Sequence, residues 1–236
     1  PVLVRRYALR DDSAGPGYYR GGVGVELELT VFPPNGVITS RGMERYRFRP
    51  WGRRGGRAGT LGYTRLNPGT EREREIGKID VLYLQPGDTV RIGAQGGGGY
   101  GDPLERPAGA VLDDVLDALV SREHARQDYG VVLAGDEVDE RATAQLRAEL
   151  RAARPDTRAD FDFGPEREDY EAAWTPALQD AILAATWDYP VHLRHFLRDR
   201  LFAEIAARLT KGAVEPVLVP ELLAAIIERE LAGRGV

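Results

Sequence analysis

The chain of 236 residues contains no cysteine. Disulfides and thiolate metal sites are therefore excluded, which suits a reducing compartment, and the cytoplasm is the expectation. Long apolar runs are missing too: none approaches the roughly 20 residues of a membrane-spanning helix, and no secretory leader is visible. Histidine is scarce, with His124, His192 and His195 the whole set. His192 and His195 are spaced to share a helix face with Asp188 or Asp199, but a metal centre needs more ligands and an outer shell to orient them. They are read as surface or packing residues, and no metal is expected on this chain. Ser13, Ser40 and Ser121 lack a nearby histidine apart from His124, and Ser121 reads as a helix cap, so no Ser–His–Asp set emerges. Positive charge in excess is also lacking, since the net charge is −5 and arginine and acid are interspersed. The one basic cluster, "RGMERYRFRPWGRRGGR" (41–57), is read as a strand and loop facing anionic groups of a partner or substrate. Neither nucleic acid nor membrane is expected as a partner.

What is present divides into two characters. The first hundred residues read as strands. "VLVRRYAL" (2–9) is one. "VGVELELTVF" (23–32) alternates, with Val23, Val25, Leu27, Leu29 and Val31 on a core face and Glu26, Glu28 and Thr30 opposite. "PPNG" (33–36) predicts a hairpin turn into a return strand at 37–42. "ERYRFR" (44–49) alternates again. "KIDVLYLQ" (78–85) and "DTVRIGA" (88–94) are strands joined by Pro86-Gly87, a type II turn signature. Beyond Pro103 the period becomes helical. Helices are predicted at 107–119, at 122–129 with Ser121 as cap and Gly130 as stop, and at 139–153. Three more follow. One opens at Thr175-Pro176, one carries Leu193, Leu197, Leu201, Ile205 and Leu209, and one opens at Pro220. The fold class is α+β, an antiparallel β-rich N-terminal half followed by an α-helical C-terminal half. The expected parts are a β-rich domain with Gly-rich loops (1–104), a helical segment packed on it (105–155), and a C-terminal helical extension (156–236). The Leu193–Leu209 stripe is read as helix core with a share of subunit interface.

The stretch "GAQGGGGYGDPLERP" (93–107) needs its own reading. A phosphate-binding loop requires Gly-Lys-Ser/Thr before a helix, and here Tyr100, Gly101 and Asp102 stand in that region with no lysine near. A dinucleotide fingerprint would require a parallel βαβ unit, whereas the preceding strands read as an antiparallel meander. A free linker does not call for Tyr100, Asp102 and Pro103. What remains is a strand end that turns sharply, with backbone closely approached by other groups. A structural role is the default reading, and a role lining a substrate or subunit surface is the alternative. Candidate lining residues are Gly97, Gly98, Tyr100 and Asp102, with Arg20, Arg41, Trp51 and Arg53 as donors or stacking faces for an anionic or cyclic ligand. Asp11 and Asp12 are expected to hold the 11–22 loop by a salt bridge to Arg20, with contact to a substrate or phosphate as the alternative. No catalytic residue is assigned.

Five motifs in collinear order carry a family resemblance: "YALRDDSAGPGYYRGGVGVELEL", "PWGRRGGRAGTLG", "LNPG" (66–69), "LQPGDTVRIGAQGGGGYGDPLERP" and "VSREHARQDYGVVL". Together they resemble the C-terminal region of the hydantoinase B/oxoprolinase family over roughly residues 1–133. The resemblance implies a component of an ATP-dependent hydrolase of cyclic amides, working with a hydantoinase A-type subunit that binds ATP and Mg. A ketone carboxylase subunit of the acetone or acetophenone type, or a non-catalytic scaffold of such a complex, are the alternatives. Family members carry a divalent-metal region in a long N-terminal portion that is not found here. The expectation is a fragment or split subunit in a hetero-oligomer with an A-type chain and the N-terminal half of a B-type component, inactive alone. Pro1 is read as the product of cleavage, of a split gene or of methionine removal.

Overall fold

The computed structural model describes residues 1–39, 45–77, 81–154, 160–209 and 214–231. The chain divides into two compact units, Pro1–Arg167 and Glu168–Val236. Antiparallel strands dominate the N-terminal half and helices the C-terminal half, so the fold is α+β.

Among the described residues eight strands precede the first α-helix: β1 (Val2–Leu9), β2 (Val25–Val31), β3 (Gly36–Thr39), β4 (Gly52–Arg53), β5 (Tyr63–Leu66), β6 (Arg74–Glu75), β7 (Val81–Leu84) and β8 (Thr89–Gly93). The main sheet has the order β1-β2-β8-β5-β6. Its register sets Leu27 opposite Ile92 and Leu29 opposite Val90. On the same face Leu66 lies opposite Val90. Val31, Leu66, Leu84 and Val90 form a small buried core there, with Ile38, Ile76, Leu82 and Ile92 packed against it. The opposite face is polar and tied by charge, Arg91 to Glu28 at 2.6 Å and Arg6 to Glu26 at 2.9 Å, with the Tyr63 hydroxyl donating to Glu26. Glu26 and Thr30 are more buried than Leu27 and Leu29, the reverse of what alternation alone predicts.

Two strand expectations fail for identifiable reasons. β3 does not return along β2. It pairs instead with β7, Gly36 opposite Leu84 through Thr39 opposite Val81, because β2 already has β1 and β8 on its two edges. Asn35 does adopt a left-handed φ of 58°, so the turn forms but redirects the chain rather than closing a hairpin. Residues 45–49 form no strand: Arg45 has a φ of 61°, and Tyr46 turns inward so that its hydroxyl lies 2.7 Å from that of Thr64. Residues 40–44 and 78–80 lie outside the described residues, so the ends of the strands expected at 37–42 and 78–85 do too. The Pro86-Gly87 turn is present. Gly87 has a φ of 89°, and the Asp88 N–H donates to the Gln85 carbonyl at 3.0 Å. Beside it the Asp88 carboxylate accepts from the Gln85 N–H at 2.8 Å and the Asn67 amide at 2.9 Å.

α1 (Ala108–Leu116) stops short of the expected residue 119, since Ala118 turns left-handed with a φ of 55°. Ser121 caps α2 (Arg122–Gln127) by accepting from the His124 N–H at 3.1 Å, and Gly130 follows with a φ of 61°. A hairpin of β9 (Leu133–Ala134) and β10 (Glu137–Val138) leads to α3 (Glu140–Ala152), whose cap Asp139 accepts from the Ala142 N–H at 2.9 Å. Val111, Val120, Ala125, Tyr129 and Val131 form a second buried cluster. β11 (Phe161–Asp162) then pairs with β4, Phe161 opposite Arg53.

α4 (Pro165–Ala173), α5 (Pro176–Thr186), α6 (Val191–Leu209) and α7 (Val219–Leu231) complete the chain. The second unit has a side-chain core: Trp174, Leu178, Ile182, Leu197, Leu201, Ile205, Leu223 and Ile226 are all buried. The four-residue leucine spacing of α6 places Leu197, Leu201 and Ile205 inside this core, as a helical stripe requires.

Candidate functional site

Three irregular segments, residues 13–22, 51–60 and 95–102, lie against one another and exchange backbone hydrogen bonds. Gly15 N–H donates to the Gly97 carbonyl at 2.7 Å and Gly97 N–H to Gly22 at 2.8 Å. Gly99 N–H donates to Arg57 at 2.9 Å, and Arg53 N–H returns one to Gly99 at 2.9 Å. Arg57 N–H reaches Pro16 at 2.7 Å and Thr60 N–H reaches Ser13 at 2.9 Å, closing the third side. Such proximity leaves no room for side chains between the segments. A Cβ on Gly96 would lie well under 3.0 Å from the Ser13 carbonyl, and one on Gly98 equally close to the Trp51 carbonyl. The four-glycine run is therefore a backbone-packed layer. The N–H groups of its Gly97 and Gly99, and of Gly101 beyond Tyr100, already donate to carbonyls, so they do not supply the free amides of a phosphate cradle. No nucleotide site is built from them.

The predicted residues are spread around this layer. Gly97 and Gly98 are inside it. Tyr100 pairs with Tyr19 and Arg53 through isolated bridges and remains 44% exposed, next to exposed Tyr19. Trp51 presents a half-exposed ring 6.2 Å from Phe163, with the Arg45 guanidinium over its face at 4.9 Å. Arg53 lies over Phe161 at 5.2 Å and 3.4 Å from Asp160. Tyr19, Tyr100, Trp51 and Arg53 thus make an exposed aromatic and cationic rim. Arg20 and Asp102 belong elsewhere. Arg20 is half-buried 3.2 Å from Asp114, which also binds Arg106 at 2.8 Å. Asp102 accepts from the Leu104 N–H at 2.9 Å and from Arg154 through both oxygens, at 2.8 and 2.9 Å. These are clamps that fasten the helical segment. Arg41 lies outside the described residues. Asp12 does not bridge to Arg20. Its carboxylate accepts from the Ser121 N–H at 2.7 Å, so it ties the loop to α2.

Next to the Arg20–Asp114–Arg106 clamp sits Tyr129, fully buried, with a hydroxyl that has no hydrogen-bond partner among the described residues. Burial, opposed by the nearby arginines, pushes its ionisation far above the ordinary value of 10.0, so it stays neutral.

A cleft of about 230 Å³ opens where the layer meets α2 and β11. Its chemistry-bearing lining is Asp12, Arg49, Arg57, His124, Asp128 and Asp162. Arg57 donates to Asp128 at 2.6 Å. His124 Nδ1 lies 3.0 Å from the other Asp128 oxygen and 3.9 Å from Asp12. Arg49 pairs with Glu166 at 2.9 Å, and Asp162 accepts from the Ala58 and Gly164 N–H groups. Each arginine is matched by a carboxylate, so the cleft offers dipoles and a carboxylate-held imidazole rather than excess positive charge. An imidazole oriented in this way is suited to general acid–base work. The volume is below the roughly 300–1,000 Å³ of typical small-molecule sites. Sequence reasoning gave His124 no role, and the only signal was the i, i+4 spacing to Asp128, which α2 makes a contact. His192 and His195 are on α6 in the second unit. Among the described residues no group of three or more His, Asp or Glu side chains comes together in a way that could hold a metal ion.

Comparison with known proteins agrees with the order of motifs. Residues 1–103 match the family model described as hydantoinase B/oxoprolinase. The chain is 41% identical over 155 residues to the caprolactamase subunit beta of Pseudomonas jessenii, a match covering 63% of this chain and 26% of that one. It is 34% identical over 104 residues to 5-oxoprolinase 1 of Arabidopsis thaliana, covering 44% of this chain and 8% of that one. A nucleotide-free acetone carboxylase structure aligns with 89% of this chain and 31% of its own, at a TM-score of 0.54 and 22% identity, which is a likeness of fold. The match spans about a quarter of the length of the caprolactamase subunit. No helix among the described residues is long and apolar enough to cross a membrane. The front of the chain, residues 1–103, is thus similar in sequence to the hydantoinase B/oxoprolinase family.

Proposed function

We propose that this chain is a C-terminal piece or split subunit of a hydantoinase B-type component in an ATP-dependent hydrolase of cyclic amides. In this reading it works beside an A-type subunit that binds ATP and Mg and beside polypeptide carrying the rest of the B-type component with its divalent metal. The observation that supports it is the three-segment glycine layer, which falls in the same stretch, residues 1–103, that matches the family model. The two relatives named above are a caprolactamase subunit and an oxoprolinase. An amide oxygen is a poor leaving group, and its phosphorylation by the ATP-binding partner would supply a good one. The Gly97, Gly99 and Gly101 amides already donate to carbonyls, and this reading leaves the phosphorylation step to the partner.

The test is turnover by the assembly purified with its partners, given ATP, Mg and caprolactam, hydantoin or 5-oxoproline in turn. Amide-dependent release of ADP and of the ring-opened acid is expected, and it should vanish when this chain is left out. Carboxylation of a ketone with bicarbonate and ATP in place of ring opening would move the assignment to a carboxylase. Full activity of the isolated chain as a monomer would overturn it.

A second reading, a non-catalytic scaffold, is favoured by the Gly97 and Gly99 amides, which already donate to carbonyls, and by the matched charges of the cleft. His124→Ala separates the two. A loss of turnover of about a hundredfold or more with the assembly intact would place this chain in the chemistry. Unchanged turnover would leave it a scaffold.

A further inference from the structure

The main sheet leaves one apolar face open. β1 is an edge strand with a register shift between Val4 and Arg6. Before the shift, Val2 and Val4 lie opposite Val31 and Leu29; after it, Tyr7 and Leu9 lie opposite Leu27 and Val25. Directly opposed residues share a face, so the bulge gathers Val2, Val4, Tyr7 and Leu9 on the side that carries the β2 aliphatics. All four are exposed, at 57%, 54%, 74% and 53%. Val25, Leu27 and Leu29 beside them are only half-buried. The core under this face is confined to the Val31, Leu66, Leu84 and Val90 end. A long apolar edge strand beside an uncovered apolar face is a feature that free proteins avoid, and it marks a surface that other polypeptide covers.

We infer that this face, from β1 across to Leu27 and Leu29, is where hydantoinase B-type sequence from outside this segment docks, burying Tyr7 and Leu9 at the centre of the contact. The inference rests on the reading of the chain as part of a B-type component. Two observations select this occupant. The caprolactamase subunit matched here has about three-quarters of its length outside the matched region, since only 26% is covered. A second copy is disfavoured, because two-fold antiparallel pairing of β1 with β1 would centre on Arg5 and Arg6 and set like charges opposite one another. The covering element must therefore present aliphatic or aromatic side chains toward Tyr7 and Leu9.

The experiment is site-specific photo-crosslinking in the complete assembly isolated from cells that make it. Tyr7 is replaced by p-benzoylphenylalanine, whose para-benzoyl group extends from an exposed ring, and in a parallel sample the same probe replaces Gln145, exposed on α3. The expected result is a Tyr7 adduct whose peptides come from B-type sequence beyond this segment, at least tenfold above the yield from Gln145. Adducts to a second copy of this chain, adducts to the A-type subunit, or no adduct above the Gln145 level would each overturn the inference. Turnover of ATP and cyclic amide by the same sample keeps the two readings apart. Active assembly without the Tyr7 adduct sinks the docking surface alone, whereas the adduct without amide-dependent turnover sinks the activity alone. As a second measurement, Leu9→Lys is expected to lower recovery of the B-type partner at least tenfold while the chain keeps its thermal transition. Undiminished recovery would count against the surface.

Discussion

In the glycine layer, Gly97 and Gly99 exchange hydrogen bonds with backbone from two other segments, and no side chain stands between them. In the second unit, Leu197, Leu201 and Ile205 fill the space between helices, and each helix satisfies its own backbone. Both regions exclude water. One does so by removing side chains so that backbones can meet, the other by interlocking side chains so that backbones stay apart. The first arrangement has no soft atoms to yield, because a carbonyl held by a hydrogen bond cannot rotate away as a leucine methyl can. The difference predicts opposite tolerance to substitution.

The sharpest break should come from Gly98→Ala. The added Cβ would sit well under 3.0 Å from the Trp51 carbonyl, and separating the segments would cost more than about 4 kcal/mol. Chemical denaturation should show it, or the variant should fail to accumulate folded. Gly22→Ala is the control, since a Cβ there meets nothing within 4 Å; its midpoint should move by less than about 0.5 kcal/mol equivalent. Equal effects at the two positions would remove the close-packed layer as an explanation. In the second unit, Leu201→Ala should cost about 2–5 kcal/mol by opening a cavity, whereas Leu201→Met should cost less than about 1.5 kcal/mol. No comparable mild substitution exists at Gly98, and finding one would blur the contrast.

Acid should act on the first unit through Asp88. Burial pushes its carboxyl up, but the Gln85 N–H, the Asn67 amide and the nearby Arg72 outweigh this and hold it below its ordinary 3.8. A carboxyl with a depressed folded value contributes stability that is present above the unfolded value and lost as pH falls through the folded one. Thermal scans between pH 5 and pH 2 should therefore show a loss concentrated below 3.8, and Asp88→Asn should remove that share of the pH dependence. A small effect is also expected at Tyr129. Its hydroxyl is buried without a partner among the described residues, so Tyr129→Phe should change stability by less than about 1 kcal/mol, with a gain as the expected sign. A loss of several kcal/mol would point to a hydrogen bond the hydroxyl makes in solution.

The Ser121 cap was readable because it is local, and the same relation serves Asp139 and Thr175, which the sequence marked only as helix starts. Ser121, Asp139 and Thr175 each bind an N–H three residues ahead, and that relation lies within one turn of chain. The Pro86-Gly87 turn was readable for the same reason. The partner of β3 was not. Its pairing with β7 depends on β2 being occupied on both edges, a fact distributed over the whole sheet. The faces of β1 were hidden by the bulge, which moves Tyr7 and Leu9 onto the side of Val2 and Val4 although their numbers differ in parity. Of the candidate site, the glycine run was visible as a place of close approach, but what it approached was not. Asp12 was assigned to Arg20 because both belong to one loop, yet it meets the N-terminus of α2 across more than a hundred residues.

The sequence by itself determined the class of fold, the change from strand to helical period near Pro103, the Ser121 cap, the Pro86-Gly87 turn, and the order of motifs shared with the family model over residues 1–103. Each of these depends on residues close together in the chain or on a pattern that needs no coordinates. Tertiary structure alone decided that three glycine-bearing segments share one backbone-bonded layer and that His124, Asp128 and Arg57 meet at a cleft. It alone decided that one side of the sheet is left apolar and uncovered. Those are consequences of which distant surfaces come together, and local propensity carries no record of them.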